Sequence, residues 1–156
     1  MIDCDRMADA ASEVADAAST TGDVIELVVT PGIPILKGVK LGKWTVRLVR
    51  EAGAVDSKTV RFTQNSISSS FKDGRSVASM IRQLRDGSMK ASDVPPIRVF
   101  SKDGVIHTLD NRRLYAFQQA GARINTVPAT AAEIAQSSRK ITTVNDGISV
   151  VVRGSN

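Results

Sequence analysis

The stretch PPIRVFSKDGVIHTLDNRRL, residues 95–114, decides the fold, because it combines two strand patterns, a tight turn and the start of a helix. Its Asp103-Gly104 pair is a strong signal for a β-hairpin turn between the two apolar runs. A helical pattern follows directly over 112–120 and stops at Gly121, a residue typical of helix ends. The stretch therefore predicts a hairpin that leads straight into a helix.

Strand and helix patterns also alternate on both sides of this stretch. Ser76 is a good N-cap for a helix that ends at Gly87. Thr130 and Glu133 form a capping box for a later helix that runs to about Ser138. Strand patterns lie at 60–67, 97–100, 105–109, just before Pro128, and at 147–153. We therefore predict an α+β domain over 58–156, with a small mixed sheet and packed helices.

Residues 1–57 are predicted to be a helical lead-in or linker and not an independent core. Residues 7–19 are rich in alanine and acidic residues, which favours a helix. The segment 37–50 alternates basic and apolar residues and is consistent with a basic amphipathic helix, although Gly38 and Gly42 each weaken it by about 1 kcal/mol. Two interpretations stay open: a segment for delivery or membrane contact, and an arm packed on the following domain. The second is favoured.

The composition excludes several kinds of protein. A 42% apolar and 24% charged chain is a normal globular mixture and not a disordered or fibrous one. Cys4 is the one cysteine and His107 the one histidine, which excludes a disulfide framework and any metal site built on several histidines. No apolar run is long enough to span a bilayer. The acidic N-terminus does not match a secretory signal peptide.

The charge is divided unevenly along the chain. Residues 1–57 contain six basic against nine acidic residues, whereas residues 58–156 contain fifteen against seven. A basic domain points to a polyanionic partner, either nucleic acid or a nucleotide. A basic surface that only keeps the protein soluble is the alternative. Four basic residues are expected on the exposed face of the first helix or beside it: Arg75, Arg82, Arg85 and Lys90.

Two arginines at the start of a helix are the most specific chemical signal. Arg112 and Arg113 lie in the first helical turn, where cations oppose the helix dipole at a cost of up to about 1 kcal/mol. A bound anion removes that cost, and backbone N–H groups together with two guanidinium groups suit a phosphate. The alternative is that both arginines pair with acidic neighbours such as Asp110, and that Asp110 or Asn111 is merely the N-cap.

The domain resembles the ParB/sulfiredoxin superfamily over about residues 58–128. The residues that carry the resemblance are, in order, Pro96-Ile97, Asp103-Gly104, Asp110-Asn111-Arg112-Arg113, Ala116 and Gly121. The resemblance implies a phosphate or nucleotide pocket at the helix N-terminus, with Arg112 and Arg113 as its phosphate-binding arginines and Asp110 at the position of the turn acid. No cysteine lies in the turn, so sulfiredoxin chemistry is not expected. No helix-turn-helix region follows, so a partition-type DNA binder is not expected either.

A basic domain behind a helical, glycine-interrupted segment also resembles the toxin tips of bacterial polymorphic toxins, of the Rhs or contact-dependent inhibition type. The resemblance implies that the natural protein is longer than this chain. It also implies a secreted effector that acts in the cytoplasm of a target cell, and a cognate immunity protein that binds it.

Members of the ParB/sulfiredoxin superfamily include DNA nucleases, and ParB-like nuclease tips occur among polymorphic toxins. The two resemblances together therefore imply a nuclease toxin domain that hydrolyses DNA. Arg112 and Arg113 would stabilise the transition state, His107 would act as acid or base because its ordinary pKa lies near 6.5, and Asp110 would act as a base or a metal ligand. One Mg²⁺ is possible, since the carboxylates are too few for a two-metal site. A structural role for His107 is the alternative. The predicted substrate-binding residues are Arg61, Gln64, Asn65, Ser66, Arg75 and Asn111, while Thr142, Thr143 and Asn145 are cleft-lining or turn residues.

Three other functions remain open at this point. The first is a module that binds or hydrolyses nucleoside triphosphates in the same pocket. The second is an ADP-ribosyltransferase toxin, which needs a catalytic glutamate; Glu133 is the one glutamate of the basic domain, and its capping-box position explains it without catalysis. The third is a basic binding domain without enzymatic activity, which predicts salt-sensitive binding and no turnover.

Overall fold

The computed structural model describes residues 28–29, 36–37, 39–41, 44–49 and 53–154 of the 156. The strands are β1 (Val28–Val29), β2 (Leu36–Lys37), β3 (Val39–Leu41), β4 (Trp44–Leu48), β5 (Gly53–Asp56), β6 (Ser66–Ser68), β7 (Ile97–Lys102), β8 (Val105–Thr108), β9 (Arg123–Pro128) and β10 (Val151–Arg153). The helices are α1 (Val77–Asp86), α2 (Asn111–Ala120) and α3 (Ala131–Gln136). The helix predicted at 7–19 lies outside the described residues.

One mixed sheet organises the domain. Its strands follow the order β3-β4-β7-β9-β5, and β8 pairs with β7 in addition. The β7–β9 pairing is parallel, while β3–β4, β4–β7, β5–β9 and β7–β8 are antiparallel. A separate parallel pair joins β6 to β10, and a short antiparallel pair joins β1 to β2. The prediction of an α+β domain with a small mixed sheet is confirmed.

The hairpin and the helix behind it form as the sequence predicts. Asp103 and Gly104 connect β7 to β8 with positive φ angles of 52° and 79°, the conformation that this residue pair favours. α2 runs from Asn111 to Ala120, and Gly121 caps it with a φ of 68°, the left-handed conformation. The capping interactions predicted for Ser76 and Thr130 are also present, at the starts of α1 and α3.

The core lies on both faces of the sheet, because successive side chains of a strand point to opposite sides. Ile97 and Val99 of β7 pack into a large cluster with the apolar faces of α1 and α2. Phe100, one residue on, packs into a smaller cluster with Val46 of β4 and Ile134 of α3. The described helices include none that is both long and apolar enough to cross a membrane.

The amphipathic helix predicted over 37–50 is wrong, since this segment contains β3 and β4. β4 pairs with β7, and Val46 is fully buried while Arg47 is exposed, which is the alternation of a strand and not of a helix. Pairing with a neighbouring strand of the sheet decides the conformation of this segment, and the helical pattern that competes with it is already weakened by two glycines. Strands β3, β4 and β5 all belong to the main sheet, so that sheet extends N-terminal of residue 58.

Two strand predictions were too long. Within 60–67, regular pairing begins only at Ser66, because the backbone before it bonds to several different elements. Arg61 bonds to the strand β8 while Phe62 donates to the carbonyl of Gly147, so no continuous ladder forms. Within 147–153, only Val151–Arg153 is a strand, and it pairs in parallel with β6.

Candidate functional site

A cavity of about 460 Å³ lies at the first turn of α2. Its walls come from the turn at 71–75, from Met80 of α1, from the segment 89–95 and from the start of α2. The lining residues are Gln64, Phe71, Lys72, Asp73, Arg75, Met80, Met89, Asp93, Val94, Pro95, Arg98, Leu109, Asp110, Asn111, Arg112, Arg113 and Lys140. The cavity therefore brings together six of the predicted site residues: Gln64, Arg75, Asp110, Asn111, Arg112 and Arg113.

The lining of this cavity is strongly basic. Six cationic side chains face three carboxylates: Lys72, Arg75, Arg98, Arg112, Arg113 and Lys140 against Asp73, Asp93 and Asp110. Asp73 pairs with Arg75 at 2.7 Å, and Asp93 accepts a hydrogen bond from the backbone N–H of Lys90 at 2.8 Å. The net positive charge makes the cavity attractive to an anion.

Asp110 is held by Arg98 from the neighbouring strand β7. Arg98 Nη2 lies 2.9 Å from Asp110 Oδ1, and Nε lies 3.1 Å from Oδ2. The backbone N–H of Arg98 also donates to Oδ2 at 2.8 Å. Burial favours the neutral acid, but these hydrogen bonds outweigh it, so the pKa of Asp110 is lowered below its ordinary value. Asp110 is therefore a well-ordered, ionised carboxylate.

This arrangement leaves the start of α2 without a side-chain cap. Asp110 occupies the N-cap position, yet its side chain makes no capping hydrogen bond because both oxygens are turned to Arg98. The first N–H groups of a helix have no partner inside the helix. These donors, at Asn111, Arg112 and Arg113, stand where the helix dipole also favours an anion.

Arg112 and Arg113 reach the two sides of the cavity. Arg112 Nη1 donates to the carbonyl of Ser70 at 2.9 Å. Arg113 Nη1 donates to the carbonyls of Pro95 and Pro96 at 3.4 and 3.3 Å, and lies 3.8 Å from Asp110 Oδ1. Within the described part of the chain, no hydrogen bond uses Nε or Nη2 of either arginine. Each guanidinium thus keeps donors for a ligand.

The alternative in which both arginines pair with Asp110 is met only by Arg113, and only at a long distance. Arg112 bonds to a backbone carbonyl, and the 3.8 Å contact of Arg113 is much longer than the 2.9 Å contact of Arg98. Arg98 is the main partner of Asp110 and was missed as a site residue. It is the one charged residue in the apolar run 97–100, and that interruption was the signal that could have found it.

Asn111 is a buried clamp between α2 and the loop before β6. Its Oδ1 accepts hydrogen bonds from the backbone N–H groups of Thr63 and Gln64, at 2.8 and 3.3 Å. Its Nδ2 donates to Thr63 Oγ1 at 3.0 Å. The carboxamide that was predicted to bind substrate is therefore used inside the protein. The clamp holds Gln64, one of the predicted substrate-binding residues, beside the cavity.

His107 lies away from the cavity and inside the core. Its ring is 1% exposed and is stacked on Phe100, with ring centroids 6.0 Å apart. Nδ1 lies 3.1 Å from the carbonyl of Val105, and Nε2 lies 3.3 Å from that of Asp146. Burial lowers its pKa. The geometry supports the structural alternative for His107, because the ring does not reach the start of α2.

The remaining predicted residues do not line the cavity either. Arg61 forms a backbone bridge to His107 beside β8, and Ser66 pairs with Val151. The backbone N–H of Asn65 donates to Thr142 Oγ1 at 3.0 Å. The N–H groups of Thr142 and Thr143 donate to the Thr63 carbonyl, and Asn145 bonds to neighbouring side chains of its own turn. The 142–145 segment thus supports the 63–65 loop from outside the cavity.

The carboxylate at the start of α2 is already engaged by an arginine. No group of three His, Cys, Asp or Glu side chains lies close enough to hold a metal ion among the described residues. Mg²⁺ is held through carboxylate oxygens, and both oxygens of Asp110 already accept from Arg98. We therefore assign no step of the chemistry to Mg²⁺.

Glu133 is engaged in structural contacts. Its Oε2 accepts from the backbone N–H of Thr130 at 2.9 Å, which completes the predicted capping box of α3. Its Oε1 lies 3.4 Å from Arg98 Nη1. These contacts account for Glu133 without the catalytic role that an ADP-ribosyltransferase requires.

No family model, curated protein or solved structure matches this chain.

Proposed function

We propose that this chain is a nuclease domain that binds the backbone of DNA in the basic cavity, with one phosphate at the first turn of α2. One observation carries the proposal: Arg112 and Arg113 keep unused guanidinium donors beside the uncapped N–H groups of the same helical turn. Charge-assisted, bidentate hydrogen bonds from arginine match the oxygens of a phosphate. The net positive lining adds a long-range attraction for the polymer.

The proposed chemistry is attack of a water oxygen on phosphorus, which forms one P–O bond and breaks the P–O bond to the leaving oxygen. The attacking water loses one proton to solvent, and the released alkoxide takes up one proton from solvent. Negative charge builds up on the phosphate oxygens, and fixed donors in the cavity stabilise it. Arg112 and Arg113 supply these donors. Asp110 is ionised, and its Oδ1, which accepts one hydrogen bond from Arg98, keeps a lone pair that orients the water. Its lowered pKa makes it a weak base. Charge stabilisation therefore carries most of the rate enhancement, and His107 takes no part.

The test is cleavage of supercoiled plasmid and of total RNA by the purified protein, each with Mg²⁺ and with EDTA. The wild type should nick the plasmid, and the double variant Arg112→Lys/Arg113→Lys should not, because lysine cannot make bidentate contacts. Arg82→Lys is the matched control, since Arg82 is exposed on α1 and does not line the cavity. Absence of cleavage by the wild-type protein of both the supercoiled plasmid and the same plasmid after heat denaturation, or equal cleavage by the double variant, would contradict the proposal.

A nucleotide-binding or nucleotide-hydrolysing module is the second candidate. The volume of the cavity, about 460 Å³, lies within the range of small-molecule sites. This function needs the same arginines, so the double variant does not distinguish it from a nuclease. Release of phosphate from a nucleoside triphosphate, with plasmid left intact, would favour the second candidate.

We also propose that the domain is the toxin tip of a longer secreted protein, acting in the cytoplasm of a target cell. A cognate immunity protein would then cover the basic cavity with an acidic surface, because opposite charges speed and orient association. Expression of the chain should arrest growth, and Arg112→Lys/Arg113→Lys should relieve the arrest. Growth arrest that persists in the double variant would show that the toxicity does not depend on the arginines of this cavity.

A further inference from the structure

Building on the proposed nuclease function, we propose that the cavity takes a single unpaired nucleotide, so that the substrate is single-stranded DNA or an unpaired region of a duplex. A phosphate alone needs only the basic part of the cavity. The cavity also has an apolar part, and that part fits the face of a base.

The apolar part of the lining is extensive and well supported. It consists of Phe71, Met80, Met89, Val94, Pro95 and Leu109. Met80 and Val94 are buried members of the large core cluster, and half-buried Phe71 and Met89 pack against that cluster. These side chains therefore form a fixed surface. Aromatic and apolar side chains of this kind stack on the faces of unpaired bases whatever their sequence.

The apolar surface is tied directly to the proposed phosphate-binding arginines. Arg112 donates to the carbonyl of Ser70, the residue before Phe71. Arg113 donates to the carbonyls of Pro95 and Pro96 on the other side. The same two guanidinium groups thus hold both apolar segments in place around the start of α2. A phosphate at α2 and a base on the apolar surface would belong to one nucleotide.

A duplex does not offer this combination. Bases inside a duplex are stacked on both faces and expose only their edges in the grooves. A protein that contacts the face of a base must take an unpaired base or remove one from the stack, which costs free energy. A cavity of about 460 Å³ has the size of a site for one small ligand. The structure therefore favours single strands over intact duplex.

The test compares one fluorescently labelled oligonucleotide as a single strand and as a perfect duplex, at the same salt concentration. Binding is followed by anisotropy and cleavage on a denaturing gel, with the full chain. We expect the single strand to bind about tenfold more tightly and to be cleaved faster. Phe71→Leu keeps an apolar side chain and should lose most of this preference, whereas Phe71→Tyr keeps the ring and should retain it.

The outcomes separate this inference from the proposed function. Equal binding and equal cleavage of both forms, or an unchanged preference in Phe71→Leu, would overturn the inference and leave the nuclease in place. Binding without cleavage of either form would overturn the nuclease function, and the inference that rests on it. Thermal melting of both Phe71 variants shows that each is folded before it is compared.

Discussion

Asp110 stands at the N-cap of α2 but gives its carboxylate to Arg98, whose Nη2 lies 2.9 Å from Asp110 Oδ1. The N-cap residue of a helix commonly bonds to the N–H groups of the first turn. Here the hydrogen bonds with β7 replace that contact. The pair connects the central strand to the helix and leaves the first turn available to an external anion.

We predict that Arg98→Ala destabilises the fold by roughly 1–3 kcal/mol. The carboxylate of Asp110 is only 10% exposed, so removing its partner leaves a charge that water hydrates poorly. Urea unfolding followed by circular dichroism measures the change. The comparison variant is Asp73→Ala, because the Asp73–Arg75 pair is exposed and should cost no more than about 1 kcal/mol. Equal costs for the two variants would contradict the role assigned to Arg98.

The pH dependence of the Arg98–Asp110 pair follows from the lowered pKa of Asp110. A carboxyl whose pKa is lower in the folded than in the unfolded state stabilises the fold above the unfolded value. This contribution is lost as the pH falls below about 4, through the lower folded-state pKa. The acid limb of a stability curve should therefore be less steep in Asp110→Asn than in the wild type. Identical acid limbs would show that the pKa of Asp110 is not lowered by folding.

Asn111→Ala should loosen the loop that carries Gln64. The substitution removes the acceptor of two backbone N–H groups, those of Thr63 and Gln64, in a buried position. We expect a loss of roughly 1–3 kcal/mol in stability and faster amide hydrogen exchange at these two residues. Amide hydrogen exchange in α1 should become faster only by the amount that the loss of global stability accounts for. Unchanged protection at Thr63 and Gln64 would rule out the clamp.

His107 should make the fold less stable as the pH falls from about 7 to about 5. Burial lowers its pKa below the ordinary 6.5, so the unfolded chain binds more protons than the folded one in this range. His107 is the one histidine of the chain, so His107→Gln should flatten the dependence of Tm on pH across this window. The same slope in wild type and variant would assign the pH dependence to other groups.

A substitution at Gly147 tests how closely the segment after α3 packs against the backbone of Phe62. Its φ is +77°, and an added Cβ would collide with the backbone of Phe62. Gly147→Ala should therefore cost roughly 3–5 kcal/mol, from backbone strain and overpacking together. Gly121→Ala shares a positive φ, at +68°, but a Cβ there meets no atom within 4 Å, so about 1–2 kcal/mol is expected. Thermal melting of both variants measures the difference.

Local signals in the sequence were sufficient for the hairpin, α1, α2 and the capping box of α3. Turn and cap residues such as Asp103-Gly104 and Ser76 act over a few residues, so their structural meaning survives without knowledge of the rest of the chain. The segments that were predicted wrongly depend on pairing with residues far away in the sequence. β4 is a strand because it pairs with β7, and 60–65 is irregular because its backbone bonds to several elements.

The site was predicted in part for the same reason. Arg112 and Arg113 lie in the first turn of a helix whose start can be recognised from the local sequence, and the N-terminus of a helix favours an anion. The structure places both side chains in the cavity. The apolar surface around Phe71 and the partner Arg98 come from other elements, and only the packing of those elements reveals them. His107 shows the limit of reading a residue by its chemistry alone, since an imidazole suggests catalysis, whereas the structure buries this ring in the core, where it stacks on Phe100.

The most direct measurement is a nuclear magnetic resonance titration of the isotope-labelled protein with a short 5′-phosphorylated thymidine oligonucleotide. The account predicts that the amide signals of Asn111, Arg112 and Arg113 shift most and saturate together. The same residues should stay unperturbed in Arg112→Lys/Arg113→Lys at equal ligand concentration. Shifts spread over the exposed basic residues of α1, with no response at the start of α2, would contradict a phosphate site at that helix.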